Sequence, residues 1–332
     1  AAYNGIKLCR SGARPIGQDS GLTWIKKKIA SGSPMANRPL GQETRREMLA
    51  DYVDYLFSLF PSDAFSRSFH DRQLVIAIDA GNGMGGHTAP AVMSRINAQM
   101  HGIYFELDGT FPNHEANPID PKNLLDLQRL VRNKGADIGL AFDGDADRCL
   151  AVDHNGKVVD GDEIMAIAAL DLIKRGQLAK NTLVATVMSN FGLDETLESR
   201  GGKVLRTKVG DRYVIEAMLR DGHNVGGEQS GHMIFRDHAS TGDGIVSALQ
   251  ILRVMIETGK PLSKLRKVLK KYPQAQRNLR VKDKPPLDTL PEVQKLLAAA
   301  EADLAEDVRL QIRACDERLV DAGVGHVLRE VR

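Results

Sequence analysis

Apolar positions recur along this chain with two distinct periods. Between Glu43 and Phe60 they fall three and four residues apart (Met48, Leu49, Tyr52, Val53, Leu56, Phe57, Phe60), which predicts an amphipathic helix. Leu74-Val75-Ile76-Ala77-Ile78 is instead unbroken, as a strand buried on both faces requires, and it runs into a glycine-rich stretch from Asp79 to Gly86. Further strands are predicted at Gly102 to Leu107, Asp137 to Phe142 and Cys149 to Asp153, with a helix from Asp162 to Lys174. After Gly176 the alternation restarts. It gives strands at Thr182 to Met188 and Lys203 to Thr207, and helices at Leu193 to Arg200, Tyr213 to Leu219 and Gly244 to Glu257. Strands alternating with helices predict an α/β fold with mainly parallel sheets.

Two α/β units are expected, over 64–162 and 163–271. A short N-terminal piece (1–63) precedes them and a more charged segment (272–332) follows, with one strand at Asn278 to Lys282 and one Ala/Leu/Glu helix at Leu290 to Ala305. The 332 residues are 42% hydrophobic, enough for more than one packed core. Net charge is +2 with no block of one sign, and aromatics are 5%, which argues against a polybasic nucleic-acid arm or a base-stacking surface. Cys9, Cys149 and Cys315 are odd in number and far apart, so a reducing compartment is favoured over a disulfide framework. No run reaches the ~18 apolar residues of a membrane span. The expectation is a cytoplasmic globular protein without membrane or nucleic-acid partners; the sequence carries no signal for oligomeric state.

The strongest chemical signal is Phe142-Asp143-Gly144-Asp145-Ala146-Asp147-Arg148, directly after a predicted strand. In extended chain Asp143, Asp145 and Asp147 would point the same way, and three carboxylates that close repel unless a cation neutralises them. A calcium EF-hand loop would need Gly at the sixth position and Glu at the twelfth, where Arg148 and His154 stand. A hard cation with open positions, Mg²⁺, fits better, with Arg148 placed to hold phosphate oxygens. The plainer reading is a solvated acidic turn.

A second constellation is Gly226-Gly227-Glu228-Gln229-Ser230-Gly231-His232. Alternation would aim Glu228, Ser230 and His232 into one pocket suited to sugar hydroxyls, with His232 able to exchange a proton near neutral pH. It is not a nucleophile elbow, because Ser230 holds the fourth rather than the third position of Gly227 to Gly231. Lys208, Gly210 and Asp211, between a predicted strand and helix, form a candidate anion cradle. Gly81-Asn82-Gly83-Met84-Gly85-Gly86 also spells the dinucleotide fingerprint, with Glu106 20 residues past Gly86, and stays as a minor alternative. Cys149 reads as core and Trp24 as packing, while His87, His114 and His238 lack metal-ligand spacing.

Taken together, these motifs resemble the α-D-phosphohexomutase superfamily across nearly the whole chain. The 143–148 stretch is similar to its metal loop and the 227–232 stretch to its sugar-recognition loop. The resemblance implies tandem related three-layer α/β domains. Residues 1–63 would be the end of a first domain, 64–162 a second with the metal loop, 163–271 a third with the sugar loop, and 272–332 a partial or divergent α+β fourth. It further implies a phosphoserine that gives its phosphoryl group to a phosphosugar, making a bisphosphate, with Mg²⁺ on Asp143, Asp145 and Asp147.

Tyr3 to Arg10 and the stretch from Gly81 to Phe142 look like phosphomannomutase/phosphoglucomutase. Val187 to Gly244 looks like phosphoglucosamine mutase. Because the sugar loop lies in the second half, glucosamine phosphate is the expected substrate, with phosphomannose or phosphoglucose the close alternative. Lys7 matches the family's active-site lysine, so Lys7, Arg148 and His232 are the expected catalytic residues; Lys208, Gly210, Asp211, Glu228 and Ser230, again with His232, are the expected substrate ligands.

Two departures stand out. The family's Ser-His-Asn-Pro phosphoserine loop would precede Tyr3, and its Arg-x-Ser-Gly-Thr-Glu-Pro phosphate clamp is replaced by Arg313-Ala314-Cys315-Asp316-Glu317. The 332 residues alone are therefore expected to turn over little or not at all. A metal- and phosphosugar-binding chain without turnover is the competing reading.

Overall fold

The computed structural model describes residues 8–11, 13–32, 42–280, 289–303, 308–314 and 324–331. Lys7, Lys282, Ala305 and Cys315 to Glu317 lie outside them. A two-stranded hairpin, β1 (Cys9–Arg10) and β2 (Arg14–Pro15), is followed by α1 (Thr23–Ala30) and α2 (Leu49–Ser58). α1 buries no side chain and Trp24 is 68% exposed, so Trp24 is not a packing residue. The reason lies in α1 itself: Lys26, Lys27 and Lys28 interrupt any continuous apolar face. α2 begins six residues later than its periodicity predicts and buries Val53 and Leu56.

The first α/β unit holds β3 (Leu74–Asp79), α3 (Gly85–Met93), β4 (Ala98–Ile103), α4 (Leu125–Lys134), β5 (Ile138–Phe142), β6 (Cys149–Asp153) and β7 (Val158–Val159). Its sheet has the order β4-β3-β5-β6-β7. β3 pairs in parallel with β4 and β5, whereas β5-β6 and β6-β7 are antiparallel. The sheet is therefore mixed rather than mainly parallel. The cause is local: only six residues join β5 to β6, far fewer than a parallel crossover needs. β4 lies four residues upstream of the predicted strand. The chain leaves the sheet at Tyr104, whose backbone is left-handed (φ 58°), and the Phe105 ring folds back over Gly102.

The second unit holds α5 (Gly161–Lys174), β8 (Thr182–Thr186), α6 (Gly192–Glu198), β9 (Lys203–Thr207), α7 (Asp211–Asp221), β10 (Val225–Gly227), β11 (Met233–Phe235), α8 (Gly244–Thr258) and the short α9 (Leu262–Leu265). Its sheet order is β11-β10-β8-β9, parallel except for the β10-β11 hairpin. β5, β6 and β8 are buried at every position, in keeping with their mostly apolar sequences, with polar residues only at the ends (Asp153 in β6, Thr182 and Thr186 in β8). α5 starts with a reciprocal capping box between Asp160 and Glu163. One core, including Leu56, Ile76, Leu140, Ile164, Leu183 and Leu252, runs through both units.

C-terminal to these, β12 (Gln274–Arg280), β13 (Val308–Ala314) and β14 (Val324–Val331) form an antiparallel sheet of order β12-β14-β13, with α10 (Pro291–Asp303) between β12 and β13. The architecture is thus two α/β sheets followed by an α+β piece. The β5-β6 and β10-β11 hairpins open at the carboxyl ends of parallel strands, where open α/β sheets place their ligands.

Candidate functional site

Residues 143–148 form a tight turn rather than extended chain. Ala146 N–H donates to the Asp143 carbonyl (3.1 Å) and Ala146 itself is left-handed (φ 58°). The turn, not alternation, gathers the carboxylates: one oxygen from each of Asp143, Asp145 and Asp147 lies within 4.8 Å of the others. Burial, reinforced by the Asp147 and Asp145 charges, pushes the Asp143 carboxyl up to about 7, against the N–H that Arg148 donates to its Oδ1 (3.1 Å). Arg148 Nε stands 3.6 Å from Asp143 Oδ2 and 3.9 Å from Asp147 Oδ1, buried and without a hydrogen-bond partner among the described residues.

Residues 228–232 are likewise a turn. Gly231 N–H donates to the Glu228 carbonyl (3.0 Å) with Gly231 at φ 89°, a conformation that side chains resist. Glu228 Oε1 accepts the Gly210 N–H (2.9 Å), so that donor at the start of α7 is already committed to a carboxylate. The expected anion cradle is correspondingly reduced. Lys208 lies over the Tyr213 ring (6.0 Å), and the Asp211 carboxylate accepts the Arg212 N–H (2.8 Å). Ser230 Oγ and His232 Nε2 are buried without a hydrogen-bond partner among the described residues.

The two turns are joined backbone to backbone. Arg148 and His232 form an isolated bridge, and Cys149 N–H donates to the Gly231 carbonyl (3.1 Å). His232 Nδ1 consequently reaches 3.4 Å from Asp147 Oδ1. Burial works against a charged His232, yet Asp147, with Asp211 and Glu228 behind it, holds its pKa above the ordinary value. Cys149 is fully buried and its thiol pKa is raised by burial, as a core residue rather than a nucleophile.

The pairing of Asp243 with Tyr52 carries no sequence signal. Asp243 caps α8 by accepting from Ile245 and Val246 N–H (2.8 and 3.0 Å), and its other oxygen accepts the Tyr52 hydroxyl (2.9 Å) from 191 positions away. The next residue, Gly244, donates to the Ala146 carbonyl (3.0 Å), so α8 starts directly against the acidic turn. The glycine-rich stretch, meanwhile, packs closely against the protein's own backbone. A Cβ on Gly83 would lie 2.6 Å from the Gly144 carbonyl oxygen, and one on Gly86 2.2 Å from that of Phe105. Its glycines serve packing inside the protein, and the dinucleotide reading fails on that ground.

Models described as phosphoglucomutase/phosphomannomutase α/β/α domains II and III match residues 50–156 and 160–272 respectively. Phosphoglucosamine mutase from Syntrophotalea carbinolica is 41% identical over 310 residues, 93% of this chain and 67% of that protein. The enzyme of that name from Anaeromyxobacter dehalogenans is 43% identical over 281 residues, 84% of this chain and 59% of that protein. The chain thus spans about three fifths to two thirds of these relatives' length, and over that span it is phosphoglucosamine mutase-like. Among solved structures, a phosphoglucomutase/phosphomannomutase family protein from Burkholderia thailandensis superposes with a TM-score of 0.77 at 23% identity, over 95% of this chain and 66% of that one. Aspergillus fumigatus N-acetylphosphoglucosamine mutase, in complex with GlcNAc-6P and magnesium, gives 0.64 at 17% identity, over 84% of this chain and 66% of that one. The two solved structures share the fold.

Proposed function

The chain belongs to the phosphoglucomutase/phosphomannomutase family, and on that premise we propose that it interconverts hexosamine 6-phosphate and 1-phosphate through a bisphosphate, with glucosamine the sugar. The observation that supports the reading is the junction of the two turns, which sets His232 Nδ1 3.4 Å from Asp147 Oδ1 and so brings the residues proposed for sugar and for metal next to each other. The choice of glucosamine rests on the 41–43% identity to phosphoglucosamine mutases, a likeness that spans the sugar loop.

The acidic turn fits a divalent hard cation. It offers three carboxylate oxygens in one small space, and burying Asp143 beside two other negative charges is costly without a neutralising partner. Asp143, Asp145 and Asp147 would hold Mg²⁺, which supplies charge neutralisation to a phosphoryl group in transfer. Arg148, whose Nε–H has no hydrogen-bond partner among the described residues, would donate to a phosphate oxygen. Ser230 Oγ and the Glu228 carboxylate orient sugar hydroxyls, and Lys208, Gly210 and Asp211 line the approach beside them. His232 holds one proton at Nδ1 against Asp147 and turns Nε2 to a substrate oxygen. Lys7 completes the set as a proton-transfer partner.

The test is calorimetry with glucosamine 6-phosphate, mannose 6-phosphate and glucose 6-phosphate, with and without Mg²⁺, alongside a phosphorus NMR assay of 6- to 1-phosphate conversion on protein isolated from its source. Tightest binding of glucosamine 6-phosphate, with Mg²⁺-dependent conversion, is expected. A preference for mannose or glucose phosphate would move the substrate, saturable binding without conversion would leave a binding protein, and no binding at all would remove the reading.

A further inference from the structure

Gly144, the residue between Asp143 and Asp145, is enclosed by two loops from elsewhere in the first α/β unit. On one side Met84 N–H donates to its carbonyl (3.0 Å), and the Cα of Gly83 sits so close that a Cβ there would lie 2.6 Å from the same oxygen. On the other side are the Phe111 ring and the Ala116 methyl, at 3.3 and 3.8 Å from where a Gly144 Cβ would be. The acidic turn therefore takes its position from the 79–86 and 105–117 loops.

Those loops are fastened to each other by two side chains buried in the first, Asp79 and Asn82, which meet half-buried His114 and exposed Asn113 of the second. Asp79, 1% exposed, uses Oδ1 to accept the Gly81 N–H (2.9 Å) and Oδ2 to meet His114 Nε2 (3.0 Å). His114 Nδ1 is 2.9 Å from the Glu115 carbonyl, so both ring nitrogens face acceptors, as they do in an imidazolium. Asn82 ties the loops a second time. Its Oδ1 accepts from Asn113 Nδ2 (2.8 Å), its Nδ2 donates to the Glu106 carbonyl (2.9 Å), and its own carbonyl accepts the Asp108 N–H (3.1 Å). Asn82 is left-handed (φ 59°), a conformation that asparagine tolerates better than most residues. The bond to Asp79 raises the His114 pKa to about 9 against the effect of burial, consistent with a charged pair at neutral pH.

We propose that His114 with Asp79, and Asn113 with Asn82, are positioning residues for the metal turn. They touch neither metal nor substrate. They fix the separation of the two loops that grip Gly144, and through it the spacing of the carboxylates on either side. The inference rests on the reading of Asp143, Asp145 and Asp147 as cation ligands. It also accounts for the glycine-rich 81–86 stretch, whose small residues let the floor of the turn approach backbone to backbone.

The experiment is a titration of the chain with Mn²⁺ alone, free ion followed by electron paramagnetic resonance, for wild type, His114→Ala, His114→Gln, Asp79→Asn, Asn113→Ala and the His114→Ala/Asp79→Asn double variant. Each carries a circular dichroism melt as a check of folding. Arg72→Ala is the control, because it breaks another close ion pair of the same unit (to Asp137, 2.7 Å) that makes no contact with Gly144. His114→Ala, Asp79→Asn and Asn113→Ala should each weaken Mn²⁺ about tenfold, in the range for groups that support metal ligands. The double variant should be no worse than its singles, His114→Gln should recover most of the affinity, and Arg72→Ala should melt lower yet bind Mn²⁺ as wild type does. Wild-type affinity in the folded single variants, or an equal loss in Arg72→Ala, overturns the positioning role while leaving the metal site standing. If the wild-type chain takes up no Mn²⁺, the metal reading itself fails and this inference goes with it.

Discussion

His232 Nδ1 lies 3.4 Å from Asp147 Oδ1, which makes the imidazole of one turn the neighbour of a carboxylate in the other. Asp147 follows β5 in the first sheet, and His232 precedes β11 in the second. The carboxylate cannot serve a cation and a proton on His232 independently, since each positive charge disfavours the other.

The first prediction follows from that competition. Asp147 holds the His232 pKa above its ordinary value, so a divalent cation on the acidic turn should lower it. Proton–carbon NMR of the histidine rings, titrated from pH 5 to 9 with and without Mg²⁺, checks this. A downward shift of the His232 midpoint with Mg²⁺ is expected, and in Asp147→Asn the midpoint should already be low and insensitive to the ion. An unchanged midpoint in the wild type would mean that the ion does not engage Asp147.

Stability should depend on pH in an unusual sense. The folded Asp143 carboxyl titrates near 7, well above the 3.8 of an ordinary aspartate, so between those values the folded state keeps a proton that the unfolded chain has released. Metal-free protein should therefore lose stability as pH rises from about 4 to 7, by up to about 1.4 kcal/mol for each pH unit crossed. Urea denaturation in EDTA at pH 5 and pH 7.5 measures it. Mg²⁺ should restore the Asp143 share of the loss at pH 7.5, and Asp143→Asn should reduce the dependence without abolishing it, because burial also raises the Asp162 carboxyl to about 7. A wild type that is as stable at pH 7.5 as at pH 5 would contradict the burial argument.

How far the sequence carried this picture depended on whether the deciding contacts were local. The run at Leu74 to Ile78 reads as a buried strand because being covered on both faces removes polar positions, and all of it but Val75 is buried. The acidic triad was legible as three residue types at fixed spacing, although alternation was the wrong geometry and a β-turn with Ala146 left-handed does the gathering. Edge strand β4 lies upstream of its expected place because Gln99 and His101 interrupt its apolar sequence and its register comes from β3. His114 read as unremarkable because its partner, Asp79, is 35 residues away, and Tyr52 gave no hint of Asp243 at 191. Contacts made across the fold leave no periodicity to read.

Asp243 is a structural rather than a chemical residue, and its loss should show as such. It caps α8 with two backbone acceptances and holds the Tyr52 hydroxyl, tying α2 to the helix that abuts the acidic turn. Asp243→Ala removes the cap and strands that hydroxyl, for about 2 kcal/mol in urea denaturation. Tyr52→Phe should cost about 1 kcal/mol, and the double variant little more than Asp243→Ala alone, because the two share one bond. Independent, additive losses would show that the hydroxyl–carboxylate bond contributes nothing.

Two glycines should separate the metal side of the site from the sugar side. A Cβ on Gly242 would fall 2.3 Å from His232 Nε2, the ring atom proposed to meet substrate, and the imidazole is buried with its other nitrogen 3.4 Å from Asp147. The ring yields only by giving up Asp147, so Gly242→Ala should weaken glucosamine 6-phosphate binding by tenfold or more while Mn²⁺ affinity is kept or strengthened, because the competing imidazole leaves the carboxylate. A Cβ on Gly83 would instead meet the Gly144 carbonyl at 2.6 Å, backbone against backbone, and push on the turn that carries the carboxylates. Gly83→Ala should weaken Mn²⁺ first, with phosphosugar binding in the absence of metal nearly unchanged. Calorimetry on both variants, with metal and sugar phosphate titrated separately, decides the matter. The crossed pattern requires that the two turns play different roles, and equal losses of both ligands in both variants would mean that they act as one undivided site.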